Sequence, residues 1–430
     1  MVIATSGPEP SRQDESQFWR DELSHSLLSL MQSAGYSLKE QQHYLEFTNQ
    51  HVVSSLGPPP ITTKSGVRIP RFDSFCSDDF SPAELSWNIR PKQSKIRVGS
   101  EPIGPFAGTT RDPFNQDEPQ VVMSRLLRQG RGPIDEELWE FFKKHLHVEA
   151  KHANEIVSKM APNEHMTTNT ISFDLDGEQP VPKVYFYPIP ISLLKNNHAG
   201  EIITDVIAQL PVNLEPAFNY VRDFVYRYKK QRNNEYILRL ELIAFDAVRP
   251  VDSRFKVYLR TKETCLARVE EVYSLGGALK GPEIDHGLNL IRSFYLQVLG
   301  TTAPEEDLPH STHRTAGIIF NMEMEHNSLA PVPKVYIPVR HYGGTDLRIA
   351  QSLSNFFRAW GFTHMADTYV DADFSTTIGR HSYVGLSYDK NGPYITMYYN
   401  TMTFSAGNER DITGKLVGPA AMKQRHLLDQ

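Results

Sequence analysis

One tripeptide, Lys-Val-Tyr, stands three times in the chain, at residues 183–185, 256–258 and 334–336. In an extended segment successive side chains point to opposite faces, so each copy puts Lys and Tyr on one face and Val on the other. The pattern spreads beyond the tripeptides. Arg254 and Arg260 share the face of Lys256 and Tyr258, and Tyr187 shares that of Lys183 and Tyr185. Lys95 and Arg97 oppose Ile96 and Val98, while Tyr394, Thr396 and Tyr398 oppose Ile395 and Met397. Ammonium and guanidinium groups gathered around one axis repel one another and lose hydration unless an anion sits among them. A guest with clustered oxygens, a phosphate or diphosphate, answers that need. Tyrosines at the alternate positions add hydroxyl donors, and their ring faces attract a carbocation. Both groups in one interior suit a reaction in which diphosphate departs and a cation forms beside it.

The elements that must carry these residues read as strand pairs. Residues 84–89 pair with 95–100, 171–176 with 183–188, 241–248 with 254–260, 318–326 with 334–339, and 382–388 with 394–399. The last pair is joined by Asp389-Lys390-Asn391-Gly392-Pro393, which ends in good turn chemistry. Five hairpins give ten antiparallel strands. Helical periodicity runs through residues 19–48, 204–232, 264–299 (with a break at Gly276-Gly277) and 347–360. Asp135 is placed to cap a further helix over 136–160. The expectation is a helix–hairpin–helix unit iterated five times, with true loops at 57–77 and 301–316. Ten strands curl, and closure removes the exposed edges. The apolar strand faces need helices against them, which turns the Lys/Arg/Tyr face inward. The predicted class is α+β, a ten-stranded antiparallel β-barrel surrounded by α-helices, in one domain over 16–430 after a disordered segment 1–15. The competing arrangement is an open sheet whose polar face is wet.

Composition narrows the partners. Of 430 residues, 45 are Lys or Arg and 51 Asp or Glu, a net charge of −6 that argues against nucleic acid or an anionic membrane as partner. Two cysteines, Cys76 and Cys265, cannot build a disulfide framework and suit a reducing cytosol. With no apolar run of transmembrane length and no leader-like start, the expected location is cytoplasmic. The histidines lack metal-ligand spacing, and no phosphate-loop or dinucleotide fingerprint occurs. Asp78-Asp79 is the acidic pair with the best claim to a diphosphate-bound magnesium, yet it reads as a solvated turn or cap. No metal or cofactor is expected.

The segment FWRDELSHSLLSLMQSAGYSLKEQQHYLEF (18–47), the LGPPP that follows, the ELSWN…RVGSEPIGP stretch (84–105) and the iterated K-x-Y strands resemble the fungal aromatic prenyltransferases of the dimethylallyltryptophan synthase type. The resemblance spans residues 18–399, in the family's order. It implies the same barrel, metal-independent transfer of a dimethylallyl group from dimethylallyl diphosphate to an electron-rich aromatic acceptor, and a monomer or homodimer. It implies that Glu84 polarises an indole N–H, although a buried carboxylate can equally serve backbone donors. Arg97, Lys183, Arg254, Lys256 and Lys334 would hold the diphosphate. Tyr185, Tyr258, Tyr336, Tyr383 and Tyr398 would screen the allyl cation from water.

Two departures matter. Lys334 stands where tryptophan-prenylating members often have Gln. The strand of residues 173–176, Phe-Asp-Leu-Asp, lacks the lysine base of members that attack indole C4. Another indole position, a cyclic dipeptide, or a phenolic or polyketide ring are the remaining acceptors. Met322 and Met324 either bound the prenyl pocket or pack in the core. A non-catalytic barrel that carries an isoprenoid or aromatic ligand is the alternative of another class; it would need an apolar lining rather than cations on several hairpins.

Overall fold

Alternating apolar residues in ten extended segments produce strands β1 (Ala83–Arg90), β2 (Gln93–Ser100), β3 (Asn169–Asp174), β4 (Pro182–Phe186) and β5 (Leu238–Asp246). They continue as β6 (Arg254–Thr261), β7 (Ile318–Glu325), β8 (Val332–Ile337), β9 (His381–Asp389) and β10 (Gly392–Asn400). Each strand pairs antiparallel with its neighbour in sequence, and β10 returns to β1, with Tyr398 opposite Ser86, to close the barrel. The structure is a computed structural model and describes residues 12–64, 66–129, 133–161, 164–371, 380–401 and 403–404. Most of the expected disordered segment 1–15 lies outside the described residues, but residues 12–15 already belong to the first helix.

The outward face of every strand is apolar and covered. Trp87, Ile96, Val98, Ile171, Val184, Phe245, Val257 and Met397 are all buried in one continuous core shared with the helices. Trp139 and Phe142 pack on it from outside, with Phe142 stacked on Phe245 at 4.9 Å between centroids. Burying each such ring contributes about 1.5–3 kcal/mol. Met322 and Met324 belong to this outer core and so pack against helices rather than the interior.

Helices fill each connection. Before β1 come α1 (Arg12–Ser33) and α2 (Leu38–His51); between β2 and β3, α3 (Asp117–Arg128), α4 (Glu137–Leu146) and α5 (Ala153–Lys159). Between β4 and β5 lie α6 (Ile189–Leu194), α7 (Ala199–Ile207) and α8 (Glu215–Gln231); between β6 and β7, α9 (Leu266–Tyr273) and α10 (Pro282–Phe294). The β8–β9 connection holds α11 (Val339–Tyr342), α12 (Asp346–Ala359) and α13 (Thr363–Thr368). Among the described residues these groups differ in helix number and length, so what recurs is the hairpin and not a uniform helix–hairpin–helix unit.

Several expected long helices are pairs. The span 19–48 breaks at Gly35, whose φ of +81° is open to glycine, and α2 restarts from a Ser37–Glu40 capping box. The span 136–160 stops at Leu146; Asp135 does accept the Glu137 N–H, and His147 leaves the helix to meet Asn169 Oδ1 at 2.8 Å. The span 204–232 divides ahead of α8, where residue 211 is Pro.

Candidate active site

Inside the barrel a second, smaller apolar cluster is formed by Ala244, Tyr258 and Tyr336, with Tyr185, Leu242, Ile319, Tyr383 and Tyr398 against it. It shares no member with the outer core, because alternation sends these residues to the other face of the same strands. Arg97, Tyr185, Lys256, Tyr383 and Tyr398 point inward yet are only half-buried, so they border open space in the barrel. Two register slips enrich this lining. The slip between Leu240 and Leu242 lets Glu241 reach Arg260 while Leu242 joins the inner cluster. The slip between His381 and Val384 lets Ser382 reach Glu84 while Tyr383 joins the cluster.

The cations occupy one end. Arg97 on β2 lies opposite Asp174 on β3, Lys183 on β4 opposite Asp246 on β5, and Lys256 on β6 opposite Glu323 on β7. The resulting ion pairs form a chain: Arg97–Asp174 at 2.6 Å, Asp174–Lys183 at 3.0 Å, Lys183–Asp246 at 3.7 Å and Asp246–Arg254 at 2.8 Å. Arg254–Glu323 at 3.7 Å and Glu323–Lys256 at 3.1 Å complete it. Burial alone would raise the three carboxyl groups. Arg97 and Lys183 outweigh it at Asp174, held well below the usual range. Lys256, Lys183 and Arg254 do the same at Asp246, brought down to about 2, and Lys256 and Arg254 at Glu323, also lowered.

Lys334 differs. Among the described residues no carboxylate lies within ion-pair distance of it. Its Nζ donates to Thr396 Oγ1 at 2.6 Å, and Thr396 and Tyr394 both donate to Asn88 Oδ1. The ammonium sits 4.0 Å from the Tyr394 ring centroid. Gly385 makes room, since a Cβ there would come within 2.7 Å of Lys334 Cε. Burial, then Arg97, Lys256 and Arg90, push this amine well below the usual lysine range.

Above each lysine of β4, β6 and β8 stands its tyrosine, two residues or about 6.6 Å farther along the strand. Tyr185, Tyr258, Tyr336 and Tyr398 form a belt with successive ring centroids 6.0, 6.0 and 5.8 Å apart. Asn321 Nδ2 donates to the Tyr336 hydroxyl at 2.6 Å. Tyr383 sits higher, its hydroxyl donating to Thr315 O at 2.9 Å.

The far end belongs to Glu84, opposite Gly99 and two residues beyond the level of Arg97. Ser382 Oγ is 3.4 Å from its Oε1. Burial first, and then the charge of Asp78, raise this carboxyl well above the usual range. Asp78 and Asp79 are themselves buried, which corrects the solvated-turn expectation. Asp79 does cap its loop, accepting Ser81 N–H at 3.0 Å, while Asp78 pairs with Arg340 at 3.2 Å. Fully buried Glu101 anchors the same loop, accepting Ser74 Oγ at 2.6 Å and Thr167 Oγ1 at 2.7 Å. Arg314 closes over it, donating to the carbonyls of Ser74 and Ser77.

All eleven residues anticipated from the sequence face the barrel interior, in three levels: cations, tyrosines, Glu84. Sequence reasoning missed the carboxylates Asp174, Asp246 and Glu323. Their signal was legible in the first strand of three hairpins, an inward acid at a register that meets a Lys or Arg of an adjacent strand. Among the described residues no group of three His, Cys, Asp or Glu side chains is placed to hold a metal ion. Among the described residues no helix is long and apolar enough to cross a membrane.

Comparison with known proteins agrees with this architecture. The 7-dimethylallyltryptophan synthase of Aspergillus fumigatus is 33% identical over 94% of this chain and 89% of its own. An indole diterpene prenyltransferase of Penicillium ochrochloron is 29% identical over 93% and 95%. The crystal structure of AnaPT from Neosartorya fischeri superposes with a TM-score of 0.79 at 25% identity, covering 93% of this chain and 97% of the other. The family model described as tryptophan dimethylallyltransferase matches residues 15–372. With a match of that extent, the chain belongs to the tryptophan dimethylallyltransferase family.

Proposed function

We propose that this protein transfers the dimethylallyl group of dimethylallyl diphosphate to the indole ring of tryptophan or a small tryptophan derivative. The observation that carries the reading is the ordering of the interior: cations at one end, a tyrosine belt, then the inward carboxyl of Glu84. Diphosphate among Arg97, Lys183, Arg254, Lys256 and Lys334 sets the allyl group across Tyr185, Tyr258, Tyr336 and Tyr398, with Tyr383 above. The C1–O bond breaks and its electron pair leaves with the diphosphate, whose growing charge meets fixed cations that need no reorganisation. The ring faces favour the allyl cation and keep water from it. An acceptor with its N–H on Glu84 is held against the belt; a ring carbon bonds to C1 and the ring proton then passes to a base.

The relatives named for tryptophan and indole substrates support an indole acceptor over a phenolic one. The interior positions of β3, namely Thr170, Ser172 and Asp174, offer no lysine, which argues against attack at C4. Carboxylates at the cation end are each tied to Lys or Arg, so the diphosphate is read as held directly by side chains, in the cytoplasm, without a metal bridge. The experiment is incubation with dimethylallyl diphosphate and, separately, free tryptophan, cyclic tryptophan dipeptides and hydroxylated aromatics, with and without EDTA. The expected result is a dimethylallyl-substituted indole by mass spectrometry, formed equally with and without EDTA. Product from phenols alone would refute the indole reading. Release of no diphosphate with any acceptor would favour a carrier.

A further inference from the structure

Four of the five cations at this end of the barrel spend donors on carboxylates. Arg97 Nε and Lys183 Nζ are on Asp174, Arg254 Nε is on Asp246, and Lys256 Nζ is on Glu323. A diphosphate entering the same end must take over N–H groups that these oxygens hold. The carboxylates are not required to close the barrel, since backbone pairing does that. They stand one on each strand between or beside the cation-bearing strands, and all three are lowered in proton affinity, so they remain ionised at neutral pH. Three fixed negative charges stand against the four cations they pair with, Arg97, Lys183, Arg254 and Lys256. A product diphosphate with several negative charges would be gripped far more tightly by four uncompensated cations.

We propose that Asp174, Asp246 and Glu323 are resident counter-ions that compete with diphosphate for its binding cations and thereby set the rate at which the spent leaving group escapes. This rests on reading the cation end as a diphosphate site. Their ion pairs hold Arg97, Lys183, Arg254 and Lys256 in place at the interior. When substrate arrives the cations turn part of their hydrogen-bonding capacity to it, and after transfer the carboxylates reclaim the donors. Lys334, whose ammonium donates to the Thr396 hydroxyl and faces the Tyr394 ring, has no carboxylate partner among the described residues and makes no such exchange.

The test uses the full chain with inorganic diphosphate as probe and titration calorimetry as readout. Asp246→Asn and Glu323→Gln keep shape and a carbonyl acceptor while deleting charge. Each is expected to bind inorganic diphosphate roughly tenfold more tightly than the parent. Steady-state turnover should fall and inhibition by added diphosphate deepen. If the carboxylates merely orient the cations, both variants bind diphosphate more weakly or equally, and the proposal fails. Should Asp246→Asn not fold, Glu323→Gln and Asp174→Asn decide the matter by the same readout. A parent protein that binds no diphosphate at all would overturn the reading of the site itself, and this proposal with it.

Discussion

The two ends of the barrel bury comparable numbers of ionisable groups and treat them in opposite ways. At the cation end, acids and bases alternate from strand to strand, and the carboxyl groups of Asp174, Asp246 and Glu323 all lose proton affinity despite burial. At the Glu84 end, carboxyls crowd one another. Glu84 is raised well above its ordinary value, Glu101 to about 7 and Asp78 to about 6, burial being the first cause in each. Burial is the first cause at both ends; at the cation end the neighbouring Lys and Arg charges outweigh it, and at the Glu84 end the cations and hydrogen bonds present do not. One end gathers cations paired with ionised carboxylates, and the other holds a carboxyl that keeps its proton to higher pH than an ordinary glutamate.

The largest effect should come from breaking the cation end. Lys256→Ala or Arg254→Ala should lower turnover about 10²–10³-fold, as for loss of one preorganised donor to a developing anion. Steady-state rates with a working acceptor check this, and a loss below tenfold in both would leave those cations outside the reaction. A smaller change is expected at the opposite end. Glu84→Gln should cost roughly 10–100-fold, the worth of a hydrogen bond to a charged acceptor. Because burial and Asp78 make Glu84 keep its proton to higher pH, activity that needs the anion should climb as pH rises through that elevated value. The glutamine variant should lose this acid limb, and a pH–rate profile of both proteins measures it.

The smallest effect sharpens the contrast through stability. Folded Glu101 retains its proton up to about pH 7, whereas the unfolded chain releases it in the ordinary glutamate range. The folded state thus binds more protons between those values, so its stability falls as pH rises through that window, by up to about 1 kcal/mol per pH unit. Asp246 has the opposite linkage: its contribution is present above the ordinary aspartate value and disappears as pH falls toward about 2. Denaturant melts of the parent and of Glu101→Gln between pH 5 and 7.5 should show the slope flattening in the variant.

Much of this was legible in the chain. Alternation in residues 254–260 sorts Arg254, Lys256 and Tyr258 from Phe255, Val257 and Leu259, and the barrel places them on the faces that sorting implies. Glu84 was less accessible to such reasoning: a single acid in an alternating strand has no repeat to mark it, and only the resemblance singled it out. The carboxylates were overlooked because a fixed array of positive charge looks incomplete without a ligand, while in fact cross-strand partners far apart in sequence, such as Arg97 and Asp174, neutralise part of it. Asp78 and Asp79 seemed solvated since nothing in a Phe-Cys-Ser-Asp-Asp-Phe loop announces Arg340, which arrives from α11. The helix breaks hinged on single residues, Gly35 among them, that periodicity averages over.

The seam between β10 and β1 joins residues roughly three hundred positions apart, while every other strand pairing is between neighbours in the chain. A growing polypeptide can therefore lay down its ribbon hairpin by hairpin, yet it owns no chamber until the last strand finds the first. Before that moment both margins of the ribbon are open to pairing with other chains. Closure of the chamber thus depends on one long-range pairing, and a chain cut before Gly392 would lack the strand that makes it.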